Sequence, residues 1–517
     1  GIKSPQSFAR QVPTKDWYPV DTSLRISNIQ SVVERFGGEK LYGDKPWLAL
    51  RELIQNARDA IHAARSLGYL NEDEGEIEVA IEDTDDGHWL HVTDNGIGMS
   101  RYVLTEVLLD FGHSLWHSAD LSGEWSGLAA SGFEAVGQFG IGFFSVFMLG
   151  ERVRVCTRRC EAKDDESDSG WILEFDQGTR NRPLLRAPNT MEKLKKAGTK
   201  ISVFLTKEKL ERLYLKEEVA FDKGGVRSIQ QTCAHLAPAI DLDLFVRENG
   251  VKQQVIIAND WKCLPQNELL QRLYPFTYHN DNLKHFDGWL NLTGISNSEG
   301  KLIGRCGIRT GYRGKSALGV TKGIMAGYID GLSGIIFSMP QADLARQSAV
   351  PKITKDNLQA WAEEQKNILC EFEMLDTARS KVLARYGASH SQLFVGFLDN
   401  EEITQQELVN YLHGVDIFAV HDGEIEYDGD DDVKESDFDD FSANDNVLEL
   451  LSGSFFDSQP SWTKDIPEAS TDTSSWSLKK AFEEALESAW GSDEYFSMKR
   501  VVFNVGEVDG VHIYRFC

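Results

Sequence analysis

Hydrophobic positions in the first part of the chain repeat first with the period of an α-helix and then with that of a β-strand. The segment "ALRELIQNARDAIHAAR" (49–65) sets apolar side chains three and four positions apart, which predicts a helix with one buried face. The segment "EIEVAIED" (76–83) alternates apolar and polar residues, as a half-buried strand does. The same alternation predicts further strands at 88–96, 152–158, 171–176 and 198–205. This order of elements predicts an α/β two-layer sandwich over residues 1–210.

The rest of the chain divides into two further regions. Residues 211–385 contain short apolar runs and one long helical pattern at 355–387, which predicts an α/β middle domain. Residues 386–517 predict a divergent, acidic α+β domain with an acidic run at 422–440. Within the first unit, residues 100–136 are rich in glycine and serine and too long for an ordinary turn, so we expect a mobile lid.

Composition and charge narrow the classes of function. The chain has 517 residues and a formal net charge of −27, which disfavours a protein whose main task is to grip a phosphate backbone. No apolar run reaches the length of a membrane span, and the N-terminus has no signal-peptide pattern. The seven cysteines lack the spacing of a metal site or a disulfide framework. These features favour a cytoplasmic globular protein with reduced thiols.

Polar residues interrupt the apolar face of the predicted helix, and two glycine-rich segments follow it. Glu52 and Asn56 lie one helical turn apart, where burial is costly unless the side chains are paired or bind something. "TDNGIGMS" (93–100) places Asp94 directly after a strand, and "GQFGIGFFS" (137–145) opens an apolar helix. A carboxylate with an amide suits water activation and Mg²⁺, a buried aspartate suits the exocyclic amine of adenine, and a glycine-lined helix start suits phosphate. Together, and in this order, the three segments predict a nucleotide site.

The three segments resemble the N-box and the two glycine boxes of the GHKL (Bergerat-fold) ATPases, and most closely those of the heat-shock protein 90 chaperones. The resemblance extends over residues 20–210. It implies that Glu52 activates the attacking water, that Asn56 holds Mg²⁺ and that Asp94 binds the adenine amino group of ATP. The other ATP-binding residues that it implies are Asp59, Gly96, Gly98, Met99, Gly137, Gln138, Phe139, Gly140, Ile141, Gly142, Phe143 and Thr199.

Hydrolysis also needs a cation where charge develops on the γ-phosphate. In the relatives an arginine on a middle-domain loop supplies it, and "SMPQADLARQSAVPKIT" (338–354) resembles that loop, with Arg346 as the candidate. A plain surface arginine is the alternative interpretation of Arg346. Nearby, "RTGYRGKS" offers Arg309, Arg313 and Lys315 as competitors for the same role.

The predicted lid departs from the family pattern. Chaperone lids usually carry a lysine that reaches the nucleotide, whereas residues 111–136 contain none. Two histidines, His113 and His117, are present instead. They are either exposed lid residues or substitutes that contact phosphate or a partner.

The resemblance as a whole implies an ATP-gated conformational clamp with slow, closure-coupled hydrolysis. The expected partners are a protein client or partner subunit, with self-association through the lid or the C-terminal region. Two alternatives stay open: a regulatory or effector ATPase of a multiprotein assembly, such as a bacterial antiviral defence system, and a MORC-like DNA clamp, which the net charge disfavours. Residues 386–517 do not resemble the chaperone dimerisation domain.

Overall fold

The computed structural model describes the greater part of the chain. The described residues are 45–118, 120–128, 130–137, 140–162, 170–219, 222–277, 291–308, 315–339, 349–398, 401–414, 417–422, 447–450, 476–491, 495–498, 501–503, 506–508 and 511–516. Some predictions concern positions outside these ranges, namely Gln138, Phe139, Arg309, Arg313, Arg346 and the acidic run from 423 onward.

Helices and strands alternate in several groups along the described part of the chain. The helices are α1 Trp47–Ser66, α2 Asp120–Glu124, α3 Val146–Leu149, α4 Lys207–Leu213, α5 Ile229–Leu236, α6 Gln266–Leu273, α7 Lys355–Glu371, α8 Thr377–Arg385, α9 Gln405–Leu412 and α10 Leu478–Trp490. The strands up to the middle of the chain are β1 Glu76–Thr84, β2 Gly87–Asp94, β3 Val153–Arg158, β4 Trp171–Phe175, β5 Leu184–Arg186, β6 Gly198–Leu205, β7 Lys216–Val219, β8 Asp222–Val226, β9 Asp243–Glu248 and β10 Val251–Ile256. Those that follow are β11 Thr293–Ser296, β12 Leu302–Ile308, β13 Ala317–Thr321, β14 Ile324–Ile329, β15 Leu332–Phe337, β16 Phe394–Leu398, β17 Glu401–Thr404, β18 Ile417–Asp422, β19 Val447–Leu450, β20 Tyr495–Met498, β21 Val501–Phe503, β22 Gly506–Val508 and β23 Val511–Phe516.

The first unit is a mixed eight-stranded sheet in the order β10-β9-β1-β2-β6-β3-β4-β5. The β1–β2 hairpin pairs Val79 with Val92, and β2 pairs antiparallel with β6 so that Asp94 stands opposite Thr199. Helix α1 buries its apolar face, including Leu53, in one core with these strands. The α/β two-layer sandwich expected from the periodicity is confirmed.

This sheet continues beyond residue 210, where the sequence predicts the first domain to end. Strand β9 pairs parallel with β1, with Leu244 opposite Ile77, and β10 pairs with β9. Just before β9, Asp241 accepts two hydrogen bonds from the guanidinium of Arg58 on α1, at 2.8 and 2.7 Å. The first core is therefore completed by strands from the second predicted region, and the division of the chain into domains stays a prediction.

A second, five-stranded sheet has the order β11-β12-β15-β13-β14, and α7 and α8 share its core. The single helix predicted over 355–387 is in fact two helices. Helix α7 ends at Glu371, Glu373 takes a left-handed conformation with φ 54°, and the Asp376 side chain caps α8 by accepting from the backbone N–H of Arg379. A local cap outweighs the continuous helical pattern here.

A third sheet follows in the order β17-β16-β19-β18-β23-β20. Helices α9 and α10 share a core with β16, and the indole N–H of Trp490 donates to the carbonyl of Leu412 at 2.9 Å. Over the described ranges, none of the helices combines the length and the apolar character that crossing a membrane requires.

Candidate active site

A pocket opens between α1, the end of β2 and the lid, which we define as residues 100–136. Its empty volume is about 1190 Å³ when the solvent at its open mouth is included. The predicted site residues that line it are Glu52, Asn56, Asp94, Gly98, Met99, Gly137, Gly140, Gly142, Phe143 and Thr199. The fold thus gathers three segments that are far apart in sequence around one cavity.

Glu52 lies on the buried face of α1 beside the second glycine segment. Its carboxylate is held by the guanidinium of Arg51, with Oε1 2.8 Å from Nη2, and both side chains are buried. A Cβ added to Gly142 would lie 2.9 Å from Oε2 of Glu52, so glycine at this position lets the loop come close to the carboxylate. Sequence reasoning missed Arg51, although an arginine within an apolar run was the available signal.

Asp94 ends β2 inside the pocket and is buried. It accepts hydrogen bonds from the backbone N–H of Gly96, at 2.8 Å, and from that of Thr199. Burial raises the pKa of Asp94 to about 7, and these two hydrogen bonds lower it in part. None of the ion pairs in the described part of the chain involves Asp94, so its carboxyl group is suited to a neutral N–H donor from a ligand.

A threonine pair supports the turn that follows Asp94. The Thr157 hydroxyl accepts from the backbone N–H of Met99 at 2.9 Å and lies 3.0 Å from the Thr199 hydroxyl. Gly98 has φ +69°, and a Cβ there would lie 2.1 Å from the carbonyl oxygen of Arg158. Thr157 was missed from the sequence because only the β3–β6 register places it opposite Thr199.

Asp59 does not line the pocket but holds the start of the second glycine segment. Its carboxylate accepts from the backbone N–H groups of Val136, at 2.9 and 3.0 Å, and of Gly137, at 2.9 Å. Burial raises the pKa of Asp59, while these bonds lower it. Gly96 also lies behind the wall, because a Cβ there would meet the backbone of Ala60 on α1 at 2.5 Å. Ile141 is not among the lining residues either.

The lid folds back over α1 and the first glycine turn. Trp125 and Leu128 pack with Ile97 in a small apolar cluster, and the Arg159 guanidinium lies 4.1 Å from the centre of the Trp125 ring. Of the two lid histidines, His113 lines the pocket, whereas the side chain of His117 lies outside the described set.

The geometry of these residues agrees with a comparison of sequences. Residues 44–199 match a family described as histidine kinase-, DNA gyrase B- and HSP90-like ATPases. The matched part of the first unit is a GHKL ATPase domain. This match confirms that the three segments resemble those of the GHKL ATPases.

Several curated relatives of this chain are chaperone proteins. The chaperone protein HtpG of Shewanella sp. strain W3-18-1 is 34% identical over 177 residues, which are 33% of this chain and 26% of that protein. The HtpG of Rhodospirillum rubrum is 28% identical over 249 residues, 46% of this chain and 36% of that protein. A third HtpG, from Francisella tularensis subsp. novicida, is 29% identical over 177 residues. The chain thus covers between a quarter and about a third of the length of these relatives.

Asn56 is the candidate Mg²⁺ ligand of the GHKL domain. Its Oδ1 faces the second glycine segment, 3.8 Å from the position of a Cβ built on Gly137. Within the described ranges no group of three or more His, Cys, Asp or Glu side chains could hold a metal. One amide oxygen next to a glycine-rich loop fits Mg²⁺, which usually takes its remaining ligands from phosphate and water.

Proposed function

We propose that this chain binds ATP with Mg²⁺ in the GHKL pocket and hydrolyses it to ADP and phosphate. The observation that carries the proposal is that buried Asp94 and the close contact of Glu52 with Gly142 belong to one pocket. An acceptor for the adenine amine and a base beside a glycine-rich loop are the two ends of an ATP site.

Asp94 accepts a hydrogen bond from the exocyclic amine of adenine, and Met99 packs against the base. The N–H groups of the second glycine segment bind phosphate oxygens, because that segment opens a helical turn at Gly142–Ser145. Asn56 holds the metal. When bound, Mg²⁺ neutralises charge on the phosphates.

Glu52 takes a proton from the attacking water. Its pairing with Arg51 fixes the orientation of the carboxylate, so that one oxygen stays with the guanidinium while the other faces Gly142. A positioned base contributes on the order of 10²- to 10⁴-fold to a rate.

The γ-phosphate also needs a cation in the transition state, and we assign that role to Arg346. Among the described residues that line the pocket there is neither a lysine nor an arginine, which supports a donor from outside the GHKL domain. Closure of the middle region over the pocket then couples hydrolysis to a slow domain motion, as in a clamp.

The similar relatives are named chaperone proteins, and we extend that role to this chain as a chaperone-like clamp on a protein client. The clamp works as a self-associating chain or with a partner subunit. The chaperone-like role can be tested by measuring whether the chain suppresses aggregation of a model substrate, with and without ATP. Hydrolysis without any effect on the substrate would favour an effector ATPase inside an assembly instead.

Phosphate release by the full chain tests the enzymatic proposal. We expect slow ATP hydrolysis that stops when a chelator removes Mg²⁺ and returns when the metal is restored. A calorimetric titration with ATP and Mg²⁺ should show one site per chain. A chain that binds no nucleotide in this titration would contradict the proposal.

A further inference from the structure

Three charged side chains connect the strand that completes the first sheet with the start of the second glycine segment. The guanidinium of Arg58 donates to both oxygens of Asp241, from Nε at 2.8 Å and from Nη2 at 2.7 Å. Its remaining nitrogen, Nη1, lies 3.5 Å from Oδ1 of Asp59. Arg58 therefore stands between two carboxylates, and the one 183 residues away along the chain binds it more closely.

Asp241 is an anion in a fixed position. It lies just before β9, and its chain neighbours Ile240 and Leu242 are fully buried in the first core. Burial by itself raises the pKa of Asp241, but Arg58 and His62, whose Nε2 lies 3.1 Å from Oδ2, hold the pKa well below its usual range. The parallel pairing of β9 with β1 keeps this carboxylate beside helix α1.

Asp59, at the other end of this connection, fixes the point where the lid meets the second glycine segment. Its buried carboxylate accepts hydrogen bonds from the backbone N–H groups of Val136 and Gly137. A Cβ built on Gly137 would lie 3.6 Å from Oδ2 of Asp59 and 3.8 Å from Oδ1 of Asn56. The hydrogen bonds of Asp59 therefore set how far the glycine segment stands from the candidate Mg²⁺ ligand.

The Asp59 carboxylate has two competing kinds of donor within reach, the backbone N–H groups and the guanidinium of Arg58. Arg58 is buried, and a buried charge that loses its partner is strongly destabilising. Among the described residues, the carboxylates within ion-pair distance of Arg58 are those of Asp241 and Asp59. If Asp241 is removed, the guanidinium has Asp59 as its remaining anionic partner, and arginine–carboxylate hydrogen bonds are stronger than those between neutral groups.

We propose that Asp241 is a positioning residue for the phosphate end of the nucleotide site, because it draws Arg58 away from Asp59 and leaves the Asp59 carboxylate to the N–H groups of Val136 and Gly137. The inference rests on the proposed function in one respect, since that function makes the second glycine segment a phosphate site. Loss of Asp241 turns Arg58 toward Asp59 and releases the start of the segment. Binding of a ligand with phosphates is then weakened, whereas binding of adenosine, which has none, is not.

Hydrogen–deuterium exchange of the full chain, followed by mass spectrometry, measures this release without any ligand. In Asp241→Asn the peptide that contains the N–H groups of Val136 and Gly137 should exchange about tenfold faster than in the parent, because these groups lose a charged acceptor. Peptides from β3 and β6 report whether the variant is folded. Parental exchange of the Val136 and Gly137 peptide in a folded Asp241→Asn protein would overturn the inference.

A double-mutant cycle tests whether the effect passes through Arg58. Arg58→Met removes the guanidinium that competes for Asp59, so Asp241→Asn should add no further acceleration in this background. An effect of the same size with and without Arg58 would contradict this route. Asp241→Glu, which brings back a carboxylate, should return the exchange toward the parental rate, and exchange as fast as in Asp241→Asn would also count against the inference.

The matched control is Asp260→Asn. Asp260 pairs with Arg272 through both carboxylate oxygens, at 2.6 and 2.5 Å, and neither residue lines the pocket. Loss of this pair should leave the exchange of the Val136 and Gly137 peptide at the parental rate. Equal acceleration in Asp241→Asn and Asp260→Asn would show a general loosening of the fold and would overturn the positioning role.

Calorimetric titration connects the release of the segment with the ligand. Asp241→Asn should weaken binding of Mg²⁺–ATP about tenfold and leave binding of adenosine unchanged. Equal losses for the two ligands, or none for ATP, would contradict a role at the phosphate end. A parent protein that binds neither ligand would contradict the proposed function itself, whereas the exchange experiment would still decide whether Asp241 controls the glycine segment.

Discussion

Asp94 is a buried carboxyl group whose protein partners are the backbone N–H groups of Gly96 and Thr199. We predict that Asp94→Asn weakens ATP binding about tenfold or more, by on the order of 1–3 kcal/mol. The reason is that the amide of asparagine places an N–H donor against the adenine amine, which is itself a donor. Calorimetric titration measures the loss, and circular dichroism verifies that the variant is folded. If the variant binds ATP as tightly as the parent, Asp94 does not hold the adenine amine.

Asp94 also makes the stability of the free protein depend on pH. Its pKa is raised from 3.8 to about 7, so folding favours the protonated carboxyl, and this contribution is present at low pH and lost as the pH rises through 7. We predict that, from about pH 5 to pH 8, the free energy of unfolding of the parent falls by about 2–3 kcal/mol relative to Asp94→Asn, which cannot ionise. Denaturant unfolding of both proteins measures it. A constant difference would contradict the raised pKa.

Glu52 should matter for turnover and not for binding. Glu52→Ala is expected to keep ATP affinity and to lose hydrolysis by about 10²-fold or more, because a general base acts in the transition state. Glu52 also pairs with Arg51, so Glu52→Gln, which keeps the volume and an oxygen acceptor, separates lost chemistry from lost packing. Exposed Glu72→Ala serves as the control. Single-turnover rates at saturating ATP measure the effect, and a parental rate in Glu52→Gln would remove Glu52 from the mechanism.

At the scale of the elements, the contact between the lid and the second glycine segment can be tested by substituting two glycines that have similar φ angles. Gly140 has φ +63° and Gly132 has φ +74°, but a Cβ at Gly140 meets the His113 backbone at 2.3 Å whereas one at Gly132 meets nothing within 4 Å. Both alanine variants should lose roughly 1–2 kcal/mol to backbone strain.

Only Gly140→Ala should also weaken ATP binding, because its side chain pushes the lid away from the segment. Thermal unfolding and calorimetric titration of the two variants measure the strain and the affinity separately. If Gly132→Ala weakens ATP binding as much as Gly140→Ala does, backbone strain and not the contact with His113 explains the effect.

At the scale of the whole molecule, the proposed mechanism requires an arginine from outside the GHKL domain. Arg346→Ala in the full chain should slow hydrolysis by about 10²-fold with ATP affinity nearly intact, since such donors act on developing charge. The full chain is the right material, because a fragment ending at residue 210 would leave β1 without β9 and Arg58 without Asp241.

Control variants show which arginine stabilises the charge that develops on the γ-phosphate. Arg180→Ala, which removes an exposed arginine paired with Glu151, should hydrolyse ATP at the parental rate. Loss of activity in Arg309→Ala or Arg313→Ala, but not in Arg346→Ala, would keep the clamp mechanism and change the arginine. Parental rates in these three arginine variants and in Lys315→Ala would remove the cross-domain cation.

The sequence by itself determined the parts of this protein that depend on local pattern. Helix α1, the β1–β2 hairpin and β6 follow from hydrophobic periodicity, and Asp94 follows from its place between a strand and a glycine turn. The polar helix segment and the two glycine-rich segments predicted one nucleotide pocket, because their residue types and spacing by themselves indicate nucleotide binding. The break between α7 and α8 was missed because the apolar pattern runs through it without interruption.

Only the tertiary structure decided how distant segments meet. The register of β3 against β6 sets Thr157 beside Thr199, and the fold turns Asp59 toward backbone N–H groups and away from the cavity. Parallel pairing carries β9 into the first sheet, and the lid brings His113 to Gly140. Each of these contacts joins residues tens to more than a hundred positions apart, so no local pattern encodes it, and burial, register and chain reversal determine it together.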